Sequence, residues 1–419
     1  MEEVLIKRKL EEKIKKFIDR REIIGIRGAR QTGKTTLLKM IEKEIIGNKV
    51  FINLDLAEYR RALEENTIDF VKRFKKPGEK LFLFLDEIQR VKNAGEKLKI
   101  IFDEFQDVKI FISGSSSLEL KANVLPFLVG RLFLFELLTF GFEEFLSAKD
   151  ENLKRLFIEK HESLRKFLEG SDEIAQPSFI EEFLKYWKEY VVFGGYPEVV
   201  KATNQEEKVT ILKNIFNLYL EKDIVAFFKI EETSKFEDLV KILAFNISNL
   251  ISVSSLASEL KISFRKVEEF LTILKHTYVI YELKPFYKNL VTELKKSPKI
   301  YFLDLGLRNS VINNFFPFDE RSDKGALMEN FVLRELLSFE DWKLNYWRTT
   351  GKSEIDFVLR KGDIIIPVEV RLSGEKLGKS FYSFLNSYKP ERAIIVTLDK
   401  FKKEKIGKTI VHWVPVFYF

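Results

Sequence analysis

The 419-residue sequence contains no cysteine, three methionines, and three histidines, His161, His276 and His412, that stand far apart. Disulfides are excluded and a Cys/His zinc centre has no ligands to draw on, so any metal must be held by oxygen. Uninterrupted apolar runs of membrane-spanning length are missing as well. The most apolar segment, VLPFLVGRLFLFELLTFGF, is broken by Arg131, Glu136, a proline and two glycines, which suits a buried strand and turn rather than a membrane span. The opening stretch MEEVLIKRKLEEKIKKF lacks the apolar core and small-residue cleavage site of a secretory signal and reads as an amphipathic helix, so a cytoplasmic protein with no membrane role is expected. Charge of a single sign is also absent. The 71 basic and 64 acidic residues leave a net +7, a mixed surface that permits nucleic acid without demanding it. Plentiful Lys, Glu, Ile and Phe with little Met fit a thermophilic source, and the length allows two or three domains.

What is present is clearest near the N-terminus. An apolar strand over 22–26 runs into a loop, Gly28, Ala29, Arg30, Gln31, Thr32, Gly33, Lys34, Thr35 and Thr36, and a helical pattern with Leu37, Leu38 and Ile41 follows. This is the G-x-x-x-x-G-K-[ST] spacing in its strand-loop-helix setting. Glycines let backbone N–H groups close around phosphate oxygens, the helix N-terminus adds its dipole, Lys34 neutralises the outer phosphates, and Thr35 offers a hydroxyl to Mg²⁺. A second apolar strand, KLFLFLDEIQR, ends in Asp86 and Glu87. An acid at the carboxyl end of such a strand can hold the Mg²⁺ shell, the role expected of Asp86. Its neighbour can polarise a water toward the γ-phosphate, the role expected of Glu87. Further strands are expected at 49–56, 108–116 and 131–138, separated by helices, which makes an α/β doubly wound sheet. At the end of the fourth, Ser113 or Ser115 could bond the γ-phosphate or the attacking water, or SGSSS could be plain turn material.

Downstream, 142–235 is helical and polar, punctuated by EGSDEIAQPS and FGGYPE, and by position is a lid or linker. Residues 236–306 read as a winged helix: a helix near 253–260, Ser263 as N-cap, a second helix from Phe264 to about Lys275, then alternating strands. Phe264, Val267, Phe270, Leu271 and Leu274 form its buried stripe, leaving Arg265, Lys266, Glu268 and Glu269 outside. Arg265 and Lys266, with Lys284, Lys288, Lys295, Lys296 and Lys299 near the wing, are candidate DNA contacts, whereas the two glutamates favour a spacer or a protein contact. The remainder, 307–419, is a further domain of helices and strands.

The order of the phosphate loop, LDEIQ, ISGSSS and LVGRLFLFELLTFGFEEFL, with FGGYPEVV, YLEKDI, GALMENFVLREL and the closing VPVFYF, resembles prokaryotic AAA-type P-loop ATPases that carry a C-terminal, restriction-endonuclease-like domain of uncharacterised function. The resemblance spans nearly the whole chain. It implies a Walker A ATPase core at 1–141 with sheet order 5-1-4-3-2, ATP and Mg²⁺ as ligands, and Arg131 as a γ-phosphate sensor acting within one subunit or across to another in a homo-oligomer. An arginine at 131 could equally pair with Glu136 or cap a helix. The resemblance further implies a nuclease-like α/β domain in which Asp356 and Glu369 take the acid positions, with Glu329 able to add a ligand. Arg371 stands where such a domain has lysine. A guanidinium is never deprotonated and favours a fixed hold on a carboxylate, so this domain is expected to bind or scaffold DNA or a partner rather than cut. The expected activity is ATP hydrolysis, with a regulated nuclease and a protein-directed switch as alternatives.

Overall fold

The computed structural model describes residues 5–114, 124–221, 224, 230, 232–286, 297–349, 351, 353–373 and 376–419. The chain folds as two compact units, Met1–Thr139 with Ile273–Val279, and Phe140–Thr272 with Ile280–Phe419. No helix among the described residues is long and apolar enough to cross a membrane.

In the first unit the apolar runs become a five-stranded sheet of β1 (Ile23–Arg27), β2 (Asn48–Asn53), β3 (Leu81–Asp86), β4 (Val108–Gly114) and β5 (Leu132–Glu136). All neighbours are parallel and the order is β2-β3-β4-β1-β5, the expected order read from the other edge. Alternation along each strand supplies two cores, because successive side chains point to opposite faces. Leu81, Leu83 and Leu85 pack on one side with Leu63, Phe70, Leu98 and Ile101. Phe84 turns to the other side with Phe111, Leu37, Leu38, Ile41 and Ile14. Apart from Phe111 of β4, these partners come from α1 (Lys9–Lys15), α2 (Lys34–Glu44), α3 (Ala57–Glu65), α4 (Thr67–Lys72) and α5 (Ala94–Glu104), which connect or precede the strands. Parallel strands covered on both faces are what continuous apolar segments such as LFLFL require.

The second unit begins with a run of helices, α6 (Phe142–Lys149), α7 (Glu151–Glu169), α8 (Ile180–Phe193), α9 (Pro197–Lys201) and α10 (Gln205–Tyr219). It continues with α11 (Thr233–Phe245), α12 (Val253–Leu260) and α13 (Phe264–His276), of which the residues from Ile273 onward belong to the first unit, then the antiparallel pair β6 (Ile280–Leu283) and β7 (Lys299–Phe302). Ser263 Oγ accepts from the Lys266 amide at 3.2 Å, the N-cap anticipated from sequence. Val267, Phe270, Leu271 and Leu274 are buried, but Phe264 is 51% exposed. It sits at the first helical position, before the apolar stripe has turned inward, which corrects its placement in the core. Helices α14 (Leu305–Val311) and α15 (Lys324–Leu336) lead into β8 (Lys343–Arg348), β9 (Glu354–Lys361), β10 (Ile364–Val370), α16 (Lys379–Tyr388), β11 (Arg392–Thr397), β12 (Lys402–Ile406) and β13 (Thr409–Pro415). The six strands form one mixed sheet in the order β12-β13-β11-β10-β9-β8. Phe381, Phe384 and Leu385 of α16 pack on it against Ile355, Ile395 and Trp413.

Candidate functional site

The loop between β1 and α2 takes its shape from two residues with positive φ, Gln31 at 59° and Gly33 at 92°. Gly28 is required for a different reason: a Cβ there would lie 2.0 Å from the Leu137 carbonyl oxygen. That close approach follows from the β1–β5 pairing, which continues as an amide of Leu137 donating to Arg27 O at 2.7 Å. Thr32, fully buried, ties the loop to itself by donating its hydroxyl to Ala29 O at 2.9 Å. Lys34 curls over the loop and donates to Gly28 O at 3.1 Å and Ala29 O at 2.7 Å. Its ammonium is thus held over the loop, where phosphate oxygens would meet it. Arg30 is partly buried and Thr36 exposed.

The end of β3 lies against this loop. Thr35 Oγ1 donates to Asp86 Oδ2 at 2.7 Å. The Ser113 hydroxyl, from the neighbouring strand β4, donates to Asp86 Oδ1 and accepts from the Glu87 amide at 3.2 Å. Both carboxylate oxygens of the buried Asp86 are therefore engaged. Glu87 has φ 57° and ψ 46°, a left-handed conformation that non-glycine residues adopt rarely and that clusters at functional sites. Its Oε2 accepts from the Gln89 side-chain amide. Glycine loop, Lys34, Thr35, Asp86, Glu87 and Ser113 therefore come together at the carboxyl ends of β1, β3 and β4. Ser115 lies outside the described residues.

Arg131 is not brought to this cluster. Its carbonyl accepts from the amide of Ile23, the first residue of β1, which puts it at the far end of the strand from the loop, on the order of 15 Å away for five residues. Its guanidinium pairs with Asp103 at 3.0 Å, while Glu136 pairs with Arg27. The pairing with Glu136 considered from sequence is therefore replaced by Asp103.

In the second unit, the register that places Phe357 opposite Val368 sets Asp356 and Glu369 side by side on antiparallel strands. Asp356 Oδ2 accepts from the Val370 amide at 2.8 Å. Arg371 donates to Glu369 Oε1 at 3.2 Å and to Lys376 O at 2.5 Å, the fixed hold expected of a guanidinium. Glu369 Oε2 is buried with no hydrogen-bond partner among the described residues. Burial and then the Asp356 charge push the Glu369 carboxyl up to about 8, against the pull of Arg371. Glu329 joins this group from α15 and, chiefly through burial, is raised to about 7.

The cation at the centre is Lys299. Its Nζ lies 2.6 Å from Glu354, 3.1 Å from Glu329 and 3.7 Å from Asp356, and Tyr301 donates to Glu329 at 2.6 Å. Lys299 is 2% exposed, which corrects its placement among phosphate-contacting residues of the wing. Although burial alone would lower its pKa, the three carboxylates raise it overall. No group of three or more acidic or histidine side chains among the described residues is arranged to hold a metal. The Lys299 ammonium lies among Glu354, Glu329 and Asp356. Of the other candidate DNA contacts, Arg265 and Lys284 are exposed, Lys266 pairs with Glu269 at 3.2 Å, and Lys288, Lys295 and Lys296 lie outside the described residues.

Sequence reasoning missed three side chains. Lys299 carried no signal beyond its place before an apolar IYF strand. Gln89 had only its position two residues after Glu87. Arg8, which donates to Thr32 O and Leu138 O, both at 2.7 Å, had none.

A parallel β2-β3-β4-β1-β5 sheet with a glycine loop and helix after β1 and an acid pair at the end of β3 defines a P-loop NTPase fold. Residues 20–146 match the AAA domain family, and residues 184–317 and 324–418 match two domains of unknown function, DUF8612 and DUF4143. An uncharacterized protein of Haemophilus influenzae is 25% identical over 84% of this chain and 83% of its own length. Uncharacterized protein MJ1544 of Methanocaldococcus jannaschii is 28% identical over 80% and 71%. Among solved structures, the Walker-type ATPase PABY2304 of Pyrococcus abyssi aligns over 74% of this chain and 96% of its own, at 15% identity and TM-score 0.47.

Proposed function

We propose that this protein binds ATP with Mg²⁺, hydrolyses it, and couples nucleotide state to DNA or a protein partner. The observation that carries the reading is the convergence of Thr35, Ser113 and the backbone of Glu87 on Asp86 beside the phosphate loop. Two hard oxygen donors, one hydroxyl and one carboxylate, suit Mg²⁺, which keeps several waters and takes its remaining ligands from phosphates. Thr35 and Asp86 would hold the ion, and bound Mg²⁺ would offset charge on the phosphate oxygens. The loop amides and Lys34 bind and orient the phosphates, so that the reacting group is positioned rather than free. Glu87, once released from Gln89, accepts a proton from the attacking water. Ser113 fixes Asp86 from the opposite side and holds the Glu87 backbone.

In this reading 1–141 is the ATPase core, 142–235 a helical lid or linker, 236–306 a winged helix and 307–419 a scaffold related to nucleases. The acid cluster supports a non-cutting role, because Lys299 and Arg371 hold its carboxylates. The switch without nucleic acid is favoured by one observation: Lys266, on the outer face of α13, is engaged by Glu269. ATP turnover measured with duplex and branched DNA at two salt concentrations, against Lys34→Ala, tests both. A salt-sensitive rise supports DNA. Indifference to every DNA form supports a protein partner.

A further inference from the structure

We propose that Arg8 positions the phosphate loop, setting the protein's affinity for the polyphosphate part of its nucleotide. The inference rests on the nucleotide reading above and adds a residue outside the loop motif. Arg8 is extended, with φ −102° and ψ 136°, just ahead of α1, and only 6% exposed. Its planar guanidinium spends one donor on Thr32 O and another on Leu138 O, each at 2.7 Å. Charge-assisted bonds of this kind are roughly twice as strong as neutral ones. The two carbonyls belong to the loop and to the chain just past β5, two stretches already pressed together where Gly28 meets Leu137. Arg8 joins them a second time, farther along the loop.

The consequence for binding follows from peptide geometry. In a trans peptide the carbonyl and the next N–H point in opposite directions, and no cis peptide is present among the described residues. Drawing Thr32 O toward the guanidinium therefore turns the Gly33 N–H away from it. Gly33 is the N-cap of α2, so that N–H belongs to the free donors of a helix N-terminus, the groups that receive an anion. Gln31 and Gly33 both have positive φ, so no regular ladder holds this peptide. The loop's own bonds engage Gly28 O and Ala29 O, whereas Arg8 engages Thr32 O. A buried cation behind the loop also raises the potential felt by phosphate.

Calorimetric titration of the full chain with ADP, and competition by inorganic pyrophosphate, test this on wild type, Arg8→Ala and Arg8→Lys, with Lys34→Ala as the blank. Arg8→Ala should weaken ADP and pyrophosphate by the same factor, about tenfold to a hundredfold. The KM for ATP should rise in step while kcat stays within a few-fold. Arg8→Lys, whose ammonium can serve a carbonyl without the fork, should fall between. A folded Arg8→Ala protein that binds ADP within about twofold of wild type overturns the proposal, as does loss of ADP with pyrophosphate affinity unchanged. Should Arg8→Ala fail to fold, Arg8→Lys decides: parallel weakening of both ligands supports the proposal and wild-type affinity overturns it. Wild type that ignores ADP altogether would overturn the nucleotide reading itself, a result separable from tight wild-type binding that Arg8 does not affect.

Discussion

Thr35 donates its hydroxyl to Asp86 Oδ2 across 2.7 Å, joining the first turn of the helix after the phosphate loop to the end of the central strand β3. Each is a donor suited to Mg²⁺, and each holds the other in place. Thr35→Ala and Asp86→Asn should therefore remove the metal dependence of nucleotide affinity. Titration of ATP with Mg²⁺ and with chelator should give two different constants for wild type and one for each variant. Turnover should fall by about a hundredfold or more, the scale of several kcal/mol of lost charge stabilisation. A variant that still responds to Mg²⁺ as wild type does would remove Asp86 from the metal shell.

Arg131 lies at the end of β5 away from its own loop, paired with Asp103. If it serves ATP hydrolysis, it does so on the loop of another copy. Arg131→Ala should bind ATP normally and turn over poorly. Mixing it with Lys34→Ala should restore part of the activity, because the inactive-loop subunit lends its intact arginine. Mixtures no more active than the sum of their parts would leave Arg131 a structural partner of Asp103.

Lys299 holds three carboxylates from within the protein. Replacing it with methionine strands those charges, and breaking a buried pair from one side costs about 3–5 kcal/mol. Chemical denaturation should show that loss, and Glu329→Gln in the same chain should recover part of it. A cost below about 1 kcal/mol would mean that water already serves the acids. Wild type should not nick supercoiled plasmid in Mg²⁺, and nicking abolished by Asp356→Ala would contradict the scaffold reading.

Asp323 on one side, and Glu369 together with Glu329 on the other, set opposite slopes of stability with pH. Burial pushes the Asp323 carboxyl up, but hydrogen bonds from Arg321 and Arg308 outweigh it and bring it from 3.8 to about 2. In that window the unfolded chain binds the extra proton, so this stabilisation is present above pH 3.8 and is lost as pH falls toward 2. Glu369 runs the other way. Its carboxyl is raised from 4.5 to about 8, so the folded state holds the proton longer and stability declines as pH rises through that range. Melting temperatures across pH should show both arms, and Glu369→Gln should reduce the alkaline one, to which Glu329 also contributes, while leaving the acid one. An unchanged alkaline arm in that variant would assign it to another group.

The phosphate loop and the acid pair were legible because each depends on residues adjacent in sequence, and the strands because they are apolar runs, whereas the sheet order came from the family resemblance. Ser263 was legible as a local cap. Arg8, Gln89 and Lys299 were not. Arg8 reaches Leu138 across 130 positions, and no local pattern records such a meeting. Lys299 was read as a wing lysine because a charge beside an apolar strand usually faces water, whereas all four residues of β7 are buried and carboxylates from α15 and β9 supply the counter-charge. Arg131 was placed by resemblance, and the strand pairing that carries it to the far edge cannot be seen in the sequence around it.

The most direct test of the account is steady-state ATP hydrolysis and ATP binding for wild type, Lys34→Ala and Glu87→Gln side by side. Wild type should turn over ATP, Lys34→Ala should lose binding and turnover, and Glu87→Gln should retain binding with turnover reduced about a hundredfold or more. Equal loss of binding in both variants, or turnover that neither variant alters, would contradict the account.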